Sequence, residues 1–208
     1  LLVQFDGVMD DHIGLIDSIT NGMLKSFIDS DIFKTLNAGN FTELNIFVKK
    51  ELLSILIFKK YQDYGANDAR LIGANIAKAV NNKPSHIIIG SGGYPDEVAF
   101  GLKLRSYDFS KYKKLRSENN YITSLYVSDV QITENAFEEK AAISLGVNFT
   151  RDLINEPANV LTTQEFSNRL EALKSSGLRV EVLNEKDLEK IGMRTLLCVG
   201  QGSDSESK

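Results

Sequence analysis

A short β-branched run, His86-Ile87-Ile88-Ile89, lies between two stretches of helical periodicity, and that alternation sets the fold class. Before it, residues 67–80 place Ala69, Ile72, Gly73, Ile76, Ala79 and Val80 on one helix face, with Asn67 able to cap the first turn. Asn81-Asn82-Lys83-Pro84 breaks that helix, and Gly90-Ser91-Gly92-Gly93 follows the strand as a tight turn. A further helix is expected after Pro95. A buried strand with helical segments on both sides predicts α/β layering.

The rest of the chain extends the pattern. Residues 1–5 read as a short strand, and residues 17–36 as an amphipathic helix carrying Ile19, Met23, Phe27 and Phe33. Residues 45–49 and 52–58 predict a hairpin whose second strand is fully buried. Residues 121–127 alternate in strand fashion and close a first domain, 1–130, with the boundary near residues 128–133. The second segment, 131–208, begins with a long helix over 134–155. Phe137, Ala141, Leu145, Phe149 and Leu153 form one of its apolar stripes, and Ala136, Ile143, Val147 and Ile154 form another, so it is expected to be covered on a wide arc. Pro157 ends it. Thr162-Thr163-Gln164-Glu165 is a capping box for the next helix, whose core face is Phe166, Leu170 and Leu173 and whose stop is Gly177. Leu178, Val180 and Val182 predict a half-buried strand, after which Asn184 caps a helix through Ile191 that Gly192 stops. The tail from Gly202 is loop-like.

Composition excludes some classes of function. A net charge of -4 and a pI near 5.3 give no electrostatic reason for nucleic acid or an anionic membrane as partner. The most apolar run, residues 52–58, is far shorter than the ~20 residues of a membrane helix. No charged leader with a cleavage site opens the chain. It begins at Leu1 inside a strand pattern, without Met, and both ends look cut. The single cysteine, Cys198, allows no intrachain disulfide, and its neighbours Leu196, Leu197 and Val199 predict a buried thiol in a reducing compartment.

Candidate chemistry is sparse. The turn Gly90-Ser91-Gly92-Gly93 has neither a Walker Lys-Ser/Thr pair nor dinucleotide spacing; it reads as a plain turn, with a phosphate or nucleotide-type ligand as the alternative. Asp10-Asp11-His12 is contiguous, which suits an exposed turn better than convergence on one ion. His86 opens a strand and is expected to be a packed or capping residue. Glu138-Glu139 and Glu185, Asp187 and Glu189 are assigned to helix faces. There is no Gly-x-Ser-x-Gly elbow, and Cys198 has no basic neighbour to activate it. Lys111-Tyr112-Lys113-Lys114-Leu115-Arg116 mixes basic and aromatic side chains as nucleic-acid surfaces do, but reads as a solvated segment of an acidic protein. No catalytic, metal-binding or substrate-binding residue is assigned.

One stretch is far more specific: Arg151-Asp152-Leu153-Ile154-Asn155-Glu156-Pro157-Ala158-Asn159-Val160-Leu161-Thr162. It resembles the segment that opens the catalytic domain of the leucyl aminopeptidase family of dinuclear-zinc peptidases. Leu104-Arg105-Ser106-Tyr107-Asp108-Phe109-Ser110-Lys111-Tyr112-Lys113 resembles that family's Tyr-x-Phe-x-x-Tyr-Lys stretch. Glu185-Lys186-Asp187-Leu188-Glu189-Lys190-Ile191-Gly192-Met193 is similar to its helix-to-Gly-Met turn, and Val199-Gly200-Gln201-Gly202-Ser203 to the motif that follows. Arg194 departs from the small residue usual there. The resemblance implies a macro-domain-like N-terminal α/β domain, then the first helices and strand of an α/β metallopeptidase catalytic domain. It also implies a cytoplasmic, hexameric enzyme that removes N-terminal residues from peptides with two divalent ions, zinc or manganese. The family's ligands lie in Gly-Lys-Gly-x-x-Phe-Asp-x-Gly-Gly, Met-Lys-x-Asp-Met and Asn-x-Glu-Gly stretches that do not occur here. A chain limited to these 208 residues is therefore expected to be inactive, and its alternative role is a non-catalytic assembly or nucleotide-type ligand-binding module.

Overall fold

Strand β3 (Glu51–Lys59) organises the first half of the chain because it is paired on both edges. In this computed structural model, which describes residues 2–5, 11–37, 39–48, 50–59, 65–80, 85–89, 94–113, 122–127 and 134–208, β1 (Leu2–Phe5) runs parallel to it. On its other side β2 (Phe41–Val48) runs antiparallel, and Val48 faces Glu51 across a two-residue connection, which gives the predicted hairpin. Ile55 and Ile57 of β3 are fully buried among Ile16, Leu24, Ile28, Phe33 and Ile46. Period-2 alternation sends both isoleucines to one face, and Ile46 of β2 together with the helices that cover that face supplies the rest of this core.

Those helices correct the single predicted helix over residues 17–36. The segment divides into α1 (Asp11–Ile19), α2 (Met23–Ile28) and α3 (Asp31–Lys34). Asn21 and Gly22 both take left-handed backbone, at φ 52 and 78, and the Thr20 hydroxyl donates to the Ile16 carbonyl at 3.0 Å, so the first helix cannot run on. The phase is reset at the break. Ile19 and Met23, expected in the core, are exposed, while Leu24 and Ile28 are buried in their place. The start of α1 at Asp11 also replaces the expected turn at Asp11 and His12 with helix; Asp10 lies outside the described residues.

A second sheet pairs β4 (Ser85–Ile89) in parallel with β5 (Ile122–Val127), its register broken between Ser85 and His86. Beside these strands in the chain, α4 (Ala66–Val80) and α5 (Pro95–Arg105) pack together through Ala69, Ile72, Ile76, Val80, Val98 and Leu102. The helix over 67–80 and its buried face are therefore as predicted, with the exception that Ala79 is half-buried. Its cap differs: the Asp68 carboxylate accepts the Gly65 N–H at 3.0 Å, and Asn67 lies inside the first turn. The two helices cross so closely that glycine is required on both. A Cβ at Gly73 would overlap the Val98 carbonyl oxygen and stand 2.8 Å from the Leu102 amide nitrogen; one at Gly101 would overlap the Arg70 carbonyl oxygen.

Helix α6 (Glu134–Asn155) has the predicted bounds but not the predicted cover. Ile143 and Leu145 are 44% and 64% exposed, whereas Ser144 is fully buried. The chain forms two compact units, Leu1–Asn148 and Phe149–Lys208, that part inside this helix; the predicted boundary residues 128–133 lie outside the described residues.

The second unit is helical. Thr162 caps α7 (Thr163–Ala172), its hydroxyl accepting the Glu165 N–H at 3.2 Å, which is one half of the predicted capping box; the Thr162 N–H donates instead to the Val160 carbonyl at 3.1 Å. Replacing Thr162 by Ala should cost about 1 kcal/mol, and equilibrium denaturation with a matched Thr162→Ser control checks it, since Ser should retain nearly all of the stability. Ser167, not the expected Phe166, is the buried residue of α7, and Phe166 is exposed. A 3-10 turn over Leu173–Ser176 ends at Gly177, φ 85. The strand expected at 178–182 is not formed: Leu178 is 55% exposed, and among the described residues no strand pairs with this segment. Alternation alone does not make a strand, because the backbone N–H and C=O groups need a neighbour. Asn184 caps α8 (Glu185–Lys190) by accepting the Asp187 N–H. Its end is a Schellman turn: Met193 N–H donates to the Leu188 carbonyl and Gly192 N–H to the Glu189 carbonyl, with Gly192 at φ 80. A further helix, α9 (Arg194–Gly200), has no counterpart in the sequence reading.

Candidate functional site

Two charged clusters stand out among the described residues, one in each unit. In the first, Glu97 sits in the opening turn of α5 and is only 5% exposed. Its Oε2 accepts from Arg70 of α4, at 2.9 Å from Nε and 2.8 Å from Nη2, and its Oε1 accepts from Lys140 Nζ of α6 at 2.6 Å. Both cations lie beside the Phe100 ring, at 5.2 and 5.6 Å from its centroid. Burial alone would raise the Glu97 pKa, but the hydrogen bonds from Lys140 and Arg70 outweigh it and hold the carboxyl below its ordinary range. A carboxylate held by three charge-assisted bonds from two cations serves to anchor helices.

In the second cluster, Arg169 of α7 donates from Nε to Glu165 Oε1 at 2.7 Å and from Nη1 to Glu156 Oε1 at 2.9 Å. The hydrogen bonds it donates to Glu165 first, then to Glu156, raise the guanidinium pKa further. Glu156 is therefore more than the end of a helix. It follows α6, is buried, and ties the Asn-Glu-Pro junction to α7, while the Pro157 carbonyl accepts the Val160 and Leu161 N–H groups at 2.9 Å. Near the chain's end, Thr163 Oγ1 donates to the Glu206 carbonyl at 2.6 Å and Ser207 N–H donates to Glu185 Oε1 at 2.9 Å. A side chain at Gly200 would overlap the Ser207 hydroxyl.

The residues weighed from sequence do not converge. His12 lies on α1 and His86 on β4, and Gly90-Ser91-Gly92-Gly93 lies outside the described residues between β4 and α5. Glu138 and Glu139 are exposed on α6, and Glu185, Asp187 and Glu189 sit on α8. Cys198 is exposed, correcting the buried thiol expected from its neighbours: on α9 consecutive side chains fan out about 100° apart, so a half-buried Leu197 does not bury the next residue. The basic cluster is a self-braced turn where it is described. Lys113 pairs with Asp108 at 3.0 Å, Phe109 meets Tyr112 edge-on, and Lys111 lies over the Tyr112 ring; residues 114–116 are outside the described set. Among the described residues no three His, Cys, Asp or Glu side chains gather where they could hold a metal ion, so no step of metal chemistry is derived from them. No helix among them is long and apolar enough to cross a membrane.

What this arrangement defines is a scaffold, and known proteins share its fold. Its fold matches a mutant of tomato leucine aminopeptidase at a TM-score of 0.71 and 16% identity, covering 94% of this chain and 44% of that one. It also matches the bottromycin maturation enzyme BotP in complex with Mn (TM-score 0.68, 19% identity, 99% and 42% coverage). In sequence, the model of the cytosol aminopeptidase family, catalytic domain, matches residues 148–208. A probable cytosol aminopeptidase of Dinoroseobacter shibae is 35% identical over 208 residues, which is 100% of this chain and 43% of that protein. One from Cereibacter sphaeroides is 34% identical over 193 residues, 93% of this chain and 40% of that protein. The chain is thus homologous to the cytosol, or leucyl, aminopeptidase family and corresponds to an N-terminal part of its larger members, spanning less than half the length of these curated relatives.

Proposed function

We propose that this chain is the N-terminal portion of a metal-dependent leucyl aminopeptidase, which hydrolyses the N-terminal residue from peptides with a water activated by two divalent ions, zinc or manganese. The observation that carries this is the 35% identity along all 208 residues to a probable cytosol aminopeptidase, together with the catalytic-domain match that begins at residue 148. The metal ligands are then supplied by sequence that these residues do not include. Residues 1–130 serve as a macro-domain-like assembly domain of a homo-hexamer, and residues 131–208 as the linker helix and opening of the catalytic domain. The protein works in the cytoplasm on peptides, without nucleic acid or membrane.

The test has two arms. The 208-residue chain with zinc or manganese should release no p-nitroaniline from leucyl-p-nitroanilide above background. The longer protein, extended through its catalytic domain, should turn the amide over, lose activity to a chelator and regain it with metal. Turnover by the short chain would overturn the placement of the site. A longer protein inert toward aminoacyl amides with either metal would overturn the peptidase reading.

A further inference from the structure

We infer that the first half of α6 is held by a releasable charge latch, with Lys140 as the latch and Glu97 as its keeper. On its inner side Lys140 and the fully buried Ser144 lie with the half-buried Phe137 and Ala141. Ile143 and Leu145 are exposed, and no apolar side chain described between residues 135 and 148 is fully buried, so this stretch gains less from apolar burial than a helix with a buried stripe. The Ser144 hydroxyl is satisfied within its own helix, donating to the Lys140 carbonyl at 2.9 Å. Among the described residues, the contacts given from this stretch to α5 both come from Lys140: Nζ on Glu97 Oε1 and Nζ beside the Phe100 ring.

Release is possible because Glu97 is shared. Removing one partner of a buried ion pair is ordinarily costly, since it strands the other charge. Here Arg70 stays on the second oxygen and keeps the carboxylate compensated, while Lys140 gains water. The crossing of α4 and α5 is independent of the latch, being set by backbone contact at Gly73 and Gly101. Helix α6 can therefore leave α5 while α4 and α5 remain packed.

Hydrogen exchange of the full chain, read by mass spectrometry on peptides covering 134–148, tests this. In Lys140→Met the amides of that segment should exchange at least about tenfold faster, with those of α4 and α5 within twofold of wild type. Lys140→Arg, which can still reach the carboxylate, should restore protection, and Arg70→Met should leave it in place. Unchanged exchange in Lys140→Met, equal acceleration in all three helices, or equal loosening of α6 by Arg70→Met would each overturn the inference. The readout is independent of peptidase activity.

Discussion

Gly101→Ala and Gly73→Ala are each expected to lower the stability of the first unit by a net of about 2 kcal/mol. Two effects oppose one another. Alanine is the better helix former by about 1 kcal/mol, yet each added methyl meets main chain: at Gly101 it overlaps the Arg70 carbonyl oxygen and stands 2.7 Å from the carbonyl carbon, and at Gly73 it overlaps Val98 and crowds Leu102. Backbone inside a helix cannot rotate aside as a side chain does, so the overpacking penalty falls at the upper end of its range, about 3 kcal/mol. The clash wins. A fall in melting temperature of roughly 5–10 °C follows for a unit of this size. Because both glycines relieve the same crossing, the double variant should lose less than the sum of the singles. Alanine variants that melt with wild type would show that α4 and α5 do not approach this closely.

Glu97→Gln should be the more damaging change at neutral pH, costing about 3 kcal/mol, at the low end for breaking a buried pair because Arg70 and Lys140 can turn partly to solvent. Its signature is in the pH dependence. Glu97 titrates below its ordinary value of 4.5 in the folded protein, so its contribution is fully present above that value and is lost as pH falls through the lower folded one. The stability gap between wild type and Glu97→Gln should therefore be constant near pH 7 and shrink progressively below pH 4.5. Denaturant unfolding across that range measures it. A gap that persists in strong acid would mean that the carboxylate charge is not what holds the three helices.

Elements with strong local signals were legible in the amino-acid order. Pro157 and the Thr162 cap fixed the junction of α6 and α7, and Asn184 and Gly192 bounded α8, because caps and stops act over three or four residues. The break at Asn21 and Gly22 was missed because apolar spacing continued through it; the turn residues outweighed the periodicity. The alternating residues 178–182 were misread because pairing depends on a second segment. Glu97 carries no local signal in the sequence, since its partners come from helices 27 residues before and 43 residues after it. Glu156 and Arg169 are likewise 13 residues apart, and only the Glu165–Arg169 spacing carried a local hint. The family resemblance was readable because Arg151 to Thr162 form one contiguous run, whereas the chemistry it implies depends on residues that no local pattern in this stretch supplies.

The bonds made by residues 206 and 207 bear on the order in which the second unit is fastened during synthesis. Its helices are local and can form soon after they emerge, since each turn closes over only a few residues. The Thr163 hydroxyl, however, finds its acceptor 43 residues later at Glu206, and the Glu185 carboxylate takes the amide of Ser207. Neither bond can form until residues 206 and 207 have left the ribosome. The start of α7 is thus closed early by the Thr162 cap, while the Thr163 hydroxyl beside it waits 43 residues for its acceptor.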